Sequence, residues 1–273
     1  MSFRYDRSEY AASTWMLEHM PLKDALDNLH RHGFDDVEIW ADTVHLDPRL
    51  RPDIPQVKRW LREYGLRVHS LHGPFRHYAD RPADDGAFCR LRTRMLKETI
   101  DYAEALDCSI MVVHALDRNE YNYTMDHLAV VQDYIGEIAR YGRERGVRIA
   151  VEDIPPGGDP GEIYTTLRKQ KELFGTLGID FCLDIGHVPL LGADVYDEVD
   201  AAGSQLITLH IHNNDGLCDS HNPPDDGILN WPALHDYIRN GGYRGKFVLE
   251  LFGGESIQEE MELMGRVDAL FRD

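Results

Sequence analysis

The stretch Leu206–Trp231, LITLHIHNNDGLCDSHNPPDDGILNW, changes character in its middle. Ile207, Leu209 and Ile211 alternate with Thr208, His210 and His212, the period of two expected of a strand. A run of Asn, Asp, Gly and Pro follows, where regular pairing must stop. His210, His212, Asp215, Asp219 and His221 cluster at that switch, and all carry imidazole or carboxylate groups. Such nitrogen and oxygen donors suit Zn, Mn or Fe, and Asp219-Ser220-His221 can close on one ion. A solvated polar loop has the same composition, so the stretch must be weighed with the chain around it.

The same strand-then-helix unit recurs along the sequence. Strands are expected at Glu9–Thr14, Asp36–Trp40, Arg67–His72, Ser109–His114, Val147–Asp153, Ile179–Asp184, Leu206–His212 and Lys246–Leu251. Between them fall helical segments at Leu22–His32, Pro55–Tyr64, Gly86–Leu106, Met125–Arg145, Glu162–Leu177, Asp194–Ala202 and Pro232–Arg239. Ser256–Phe271 closes the series, with Ser256 and Glu259 at capping-box spacing. Alternating strands and helices argue for a parallel sheet of the α/β class, and eight units argue for a single (β/α)8 barrel over residues 1–273. At 273 residues the length suits that fold, for which roughly 250 is typical. A doubly wound open sheet would want a glycine-rich phosphate turn after the first strand, and Ser13-Thr14-Trp15-Met16 offers none.

Composition narrows the function. A net charge of −19 opposes general nucleic-acid binding, although a metal site can be locally positive. No apolar run approaches the ~20 residues of a membrane span, and MSFRYDRSEY lacks the apolar core of a signal peptide. The cysteines at 89, 108, 182 and 218 have no CxxC spacing and read as reduced, mostly buried thiols. A cytoplasmic location is the expectation, with a homo-oligomer possible.

Chemistry gathers at one end of the strands. His72, His114, Glu152, Asp184, His187, His210 and Glu250 all fall at C-terminal strand ends, the face that carries the active site in such barrels. Inward alternation is expected to run Val68-Ser70-His72, Ile110-Val112-His114, Ala150-Glu152, Cys182-Asp184, Thr208-His210 and Val248-Glu250. Glu38 is expected to stand behind the ligands or touch substrate, and Trp40 with Tyr121-Asn122-Tyr123 to line a pocket. His19, His30, His32, His127 and His235 read as surface residues of helices. At the opposite mouth, Arg148, Asp180 and Lys246 are expected to form a charged plug.

Leu71-His72-Gly73-Pro74, Val113-His114, Val151-Glu152-Asp153, Cys182-Leu183-Asp184-Ile185-Gly186-His187, His210-Ile211-His212-Asn213, Asp219-Ser220-His221 and Leu249-Glu250 resemble the xylose-isomerase-like TIM-barrel superfamily. The resemblance runs from the third strand to the eighth and implies a divalent metal: Mn or Zn foremost, Co or Mg otherwise. The ketose-epimerase branch implies one ion held by Glu152, Asp184, His210 and Glu250, with His187 and His72 toward a sugar or sugar phosphate. Glu152 and Glu250 would then be the acid/base pair, working through a metal-stabilised enediolate. The endonuclease IV branch implies three Zn ions on those residues together with His72, His114, His187, Asp219 and His221. Departures favour the first branch: Asp153-Ile154-Pro155-Pro156 and Leu251-Phe252-Gly253-Gly254 differ from the nuclease pattern. Pro224-Asp225-Asp226-Gly227 departs from the isomerase pattern.

Overall fold

A computed structural model describes residues 3–75, 85–115, 128–155 and 166–272, with side chains from residue 90 in the third helix. The strands are β1 (Tyr10–Ser13), β2 (Asp36–Trp40), β3 (Arg67–His72), β4 (Ile110–His114), β5 (Arg148–Glu152), β6 (Asp180–Asp184), β7 (Leu206–Ile211) and β8 (Phe247–Leu249). Each pairs in parallel with the next, and β8 pairs with β1, so the sheet closes as an eight-stranded barrel. Around it lie α1 (Leu22–Arg31), α2 (Ile54–Tyr64), α3 (Asp85–Ala105), α4 (Leu128–Arg143) and α5 (Leu167–Phe174). The remaining helices are the short α6 (His187–Leu190), then α7 (Val195–Ala202), α8 (Trp231–Asn240) and α9 (Ile257–Leu270). Met125, Glu162, His127 and Tyr121–Tyr123, named above, fall outside the described residues.

Local chemistry explains the element ends. α1 buries Leu22, Ala25, Leu26 and Leu29, the stripe a 3.6-residue period dictates. Asp53 caps α2 by accepting from the Gln56 amide, and Gly65 ends it at φ 69°. Ser256 accepts from the Glu259 amide at 3.4 Å, but the Glu259 carboxylate returns to the Glu255 amide at 2.7 Å, one residue before the expected partner. Leu71, Met111, Val113, Val151, Phe181, Leu183, Leu209 and Leu249 point outward into the core beneath the helices.

Strict alternation fails at two places. Val37 pairs with Val68 but Glu38 with Ser70, so His69 is an extra residue in β3. Val68 therefore packs outward with the main core, against expectation, while His69 turns in to Thr208 Oγ1 at 3.1 Å. Likewise Phe181 pairs with Leu206 and Cys182 with Thr208, which adds Ile207 to the small interior cluster of Val112, Ala150 and Cys182. A bulge slips the register by one residue and restores the inward direction of everything above it.

The lower mouth also differs from expectation. Arg148 holds both oxygens of Asp180, at 2.6 and 2.8 Å, leaving Asp180 already engaged. Lys246 instead meets Asp36 at 2.7 Å, where Arg67 also binds, so two charge groups stand in place of one plug. His19 and His30 are exposed as expected, whereas His32 and His235 are half-buried against Asp268 and Glu9. Cys108 and Cys182 are buried thiols, but Cys218 is exposed. Among the described residues no helix is long and apolar enough to cross a membrane.

His45, in the loop after β2, is buried and contacts the Met20 carbonyl oxygen at 3.1 Å. Burial lowers its pKa from 6.5 to about 4. Between those values the unfolded chain binds a proton that the folded chain refuses, so stability falls as pH drops through the window. His45→Gln should flatten the dependence of unfolding free energy on pH there by up to about 1.4 kcal/mol per unit. Urea unfolding of both proteins at pH 4.5, 5.5 and 7 measures it; parallel curves would refute the assignment.

Candidate metal centre

The upper mouth collects the polar strand ends. Glu152 ends β5, Asp184 ends β6, His210 lies one residue from the end of β7, and Glu250 follows β8. Although β8 stops at Leu249, the Glu250 amide still donates to the Ile211 carbonyl oxygen at 3.4 Å and so holds its place beside β7. All four residues are buried, and one donor atom from each lies within 4.8 Å of the others. His210 Nδ1 is 3.0 Å from both Glu152 Oε1 and Glu250 Oε2, and 3.9 Å from Asp184 Oδ2.

Two further groups adjoin this one. His72 Nε2 and His114 Nε2 each lie 3.1 Å from Glu152 Oε2, so Glu152 belongs to both assemblies. On the other side, His187, His212, Asp219 and His221 also have donor atoms within 4.8 Å of one another. His187 Nε2 lies 3.5 Å from Asp219 Oδ2, and His221 Nε2 lies 3.4 Å from Asp219 Oδ1. Asp184 joins the groups, since its Oδ1 is 2.8 Å from His212 Nε2 while its Oδ2 lies between them, 3.9 Å from His210 Nδ1 and 3.8 Å from His187 Nε2.

Electrostatics follow from this crowding. Burial alone would raise the Glu152 carboxyl, but His210 and His114 outweigh it and hold it well below the usual range. Glu250 is likewise opposed by burial and is brought down to about 2, chiefly by His210. Burial pulls His72 down, yet the hydrogen bond to Glu152 wins and its pKa rises to about 9. His212 goes the other way, lowered by burial. Three buried carboxylates so close together require positive charge. Asp184 Oδ2 has no hydrogen-bond partner among the described residues, so its lone pairs stay available to a cation. The donor set therefore fits a divalent metal ion.

Each residue expected at the site can now be located. Glu152, Asp184, His210 and Glu250 converge, as do His72 and His114; His187, Asp219 and His221 form the neighbouring group. Glu38 is fully buried beneath His210, and Trp40 is fully buried between His45 and Phe75. Sequence reading named His212 among the metal donors of its stretch without assigning its partners, and gave no site role to Asp153, Phe75, Trp15 or Arg92. Asp153 Oδ1 accepts from the Asp184 amide at 2.7 Å, and the Asp153 carbonyl oxygen lies 2.8 Å from His187 Nδ1. Burial raises the Asp153 pKa well above normal. Phe75 stacks on His114 at 4.6 Å, and Trp15 meets His221 edge-on at 4.8 Å. Arg92 is buried and donates to the His114 carbonyl oxygen at 2.5 Å. Adjacency to motif residues could have flagged Asp153 and Phe75; nothing local flags Arg92.

These features define a (β/α)8 barrel with a buried carboxylate–histidine centre at its C-terminal mouth. A family model described as the xylose isomerase-like TIM barrel matches residues 26–267, and the chain belongs to that family. Fructoselysine 3-epimerase of Shigella flexneri is 24% identical over 248 residues, covering 86% of each chain. The structure of a D-tagatose 3-epimerase-like protein superposes with a TM-score of 0.76 at 19% identity, over 96% of this chain and 98% of that one. An AP endonuclease, family 2, from Brucella melitensis gives 0.71 at 18% identity, over 97% and 99%. Sugar epimerases and a family 2 endonuclease thus share the fold.

Gly186 is the tightest backbone position in the site. A Cβ there would stand 2.0 Å from His212 Cε1. The His212 ring cannot retreat, because it stacks on His221 at 3.8 Å and is fully buried. Gly186→Ala should cost about 1–3 kcal/mol of stability by overpacking. Gly265→Ala, in α9 with nothing within 4 Å, should be neutral or stabilising. Thermal unfolding of the pair checks this, and equal midpoints would show that the His212 ring yields.

Proposed function

We propose that the protein is a divalent-metal-dependent isomerase or epimerase of a sugar or sugar phosphate. The observation that carries this reading is the buried convergence of Glu152, Asp184, His210 and Glu250, with one Asp184 oxygen unengaged. Those four residues would hold the ion. When bound, it would polarise a substrate carbonyl and stabilise negative charge on its oxygen. The kinship with a sugar 3-epimerase over most of both chains supports a sugar as substrate.

Proton transfer falls to the two glutamates. One removes the proton from the carbon next to the carbonyl, and the electron pair of that C–H bond passes to the carbonyl oxygen. The other returns a proton from the opposite face; return to the same carbon inverts it, and return to the neighbouring carbon isomerises. Glu152 and Glu250 each lie 3.0 Å from the same nitrogen, His210 Nδ1, which keeps both at one reacting centre. His72 and His187 would orient substrate hydroxyls, with Trp40 and Phe75 backing the pocket and excluding water.

Glu250→Gln keeps a carbonyl oxygen as ligand but removes the base, so turnover should fall by at least ~10²-fold with metal retained. Turnover of ketoses in D2O should place deuterium on the substrate carbon. Full activity of Glu250→Gln with metal bound, or no exchange from solvent, would refute the mechanism.

A second reading, a three-zinc phosphodiesterase, is favoured by one observation: all nine residues shared with that pattern lie in the three adjoining groups. His114 separates the two. In the sugar enzyme, His114→Ala should leave about one metal per chain and appreciable turnover. In the phosphodiesterase it should remove an ion and abolish cleavage of abasic-site DNA. Elemental analysis of native protein and variant, with both assays, decides between them.

A further inference from the structure

We infer that Glu38 is a positioning residue that fixes His210 as an Nδ1 ligand. The inference rests on the metal reading above and concerns a group outside every cluster of candidate ligand atoms in the described residues. Glu38 lies in β2, is wholly buried, and places Oε2 3.2 Å from His210 Nε2. Ser70 Oγ donates to the same oxygen at 2.7 Å. The opposite nitrogen of the ring, Nδ1, faces Glu152, Glu250 and Asp184.

A neutral imidazole carries one N–H and one lone pair, and the partner of one nitrogen sets the role of the other. Carboxylates flank both nitrogens, so the choice falls to the ion: with a cation among Glu152, Glu250 and Asp184 the proton belongs on Nε2, where the Glu38 carboxylate accepts it. The Nδ1 lone pair then points among three carboxylates, an arrangement that becomes favourable once a cation sits between them. A carboxylate behind a ligating histidine fixes its tautomer and raises its basicity. The β3 bulge is what makes this possible, because Ser70 stands opposite Glu38 only after the register has slipped past His69. The bulge, the Ser70 hydroxyl and the Glu38 carboxylate thus form one support for a single ring.

The test titrates metal-free protein with Zn2+ against a chromogenic chelator, and reads the ring by 15N NMR. Wild type should show a protonated Nε2 and a metal-bound Nδ1. Glu38→Ala should weaken Zn2+ binding about 10–100-fold. Glu38→Gln, which keeps an acceptor oxygen, should recover most of that loss and the wild-type ring signature, which a purely structural role would not produce. Ser70→Ala, a smaller change, should weaken binding in the same direction and carries the test if Glu38→Ala fails to fold. Unchanged affinity in the folded variants, or a metal-bound Nε2 in wild type, would overturn the inference. If wild type binds no Zn2+ or Mn2+, the metal reading fails by itself. The His210 tautomer in the metal-free chain then decides the relay, and an Nε2 without a proton would sink it.

Discussion

Glu152 is the residue on which the upper mouth depends. One carboxylate, essentially without solvent contact, meets His210 through Oε1 and both His72 and His114 through Oε2. A buried ion without partners is expensive, and removing one partner from such a pair typically costs about 3–5 kcal/mol. The surroundings reflect that constraint. Gln170 donates to the Glu152 carbonyl oxygen, burial pushes up the pKa of Asp153 beside it, and Asp153 in turn orients the Asp184 backbone. Burial supplies the strength of these contacts as well as their cost, since the same low dielectric that penalises a lone charge strengthens a paired one.

Much of this was legible in the sequence because two simple periods carry it. Strands at Asp36–Trp40 and Arg67–His72 are found at the residues expected, and the other strands lie within a few residues of expectation. Polar residues one step above small or apolar ones mark the strand tops, so the convergence of Glu152, Asp184 and His210 could be read from alternation alone. The bulges at His69 and Ile207 could not. Each depends on how two neighbouring strands pair, which is a property of the closed barrel and not of either segment. Val68 was misdirected for that reason, and Ser70 was placed correctly only because a count upward or downward by two reaches it from His72.

The residues missed at the site share a different cause. Arg92 arrives from the middle of α3, reaching His114 across a loop that says nothing of it, and Trp15 comes from the turn after β1. His212 stands in the quoted stretch, but alternation places it inward with His210 and gives it no partner. Its partners are Asp184 and the bare Cα of Gly186, at the end of β6, and His221, nine residues further along its own stretch. Local sequence records which donors are present; the pairing of donors is written in the topology.

That distinction bears on the chemistry. Asp184 lies against His212 through Oδ1 and between His210 and His187 through Oδ2, so the central group and the His187–His212–Asp219–His221 group share a carboxylate. A one-ion site and a three-ion site would use overlapping residues, and the donor inventory alone weighs equally for both. Net charge weighs differently. The chain carries −19 overall. Phosphodiester backbones bind through Lys and Arg contacts that release counterions, and a strongly acidic chain opposes that term. A small polyol pays no such penalty and gains from the aromatic rings of Trp15, Phe75 and Phe252 around the histidines. Net charge therefore weighs against a phosphodiester backbone where the ligands are neutral between the two.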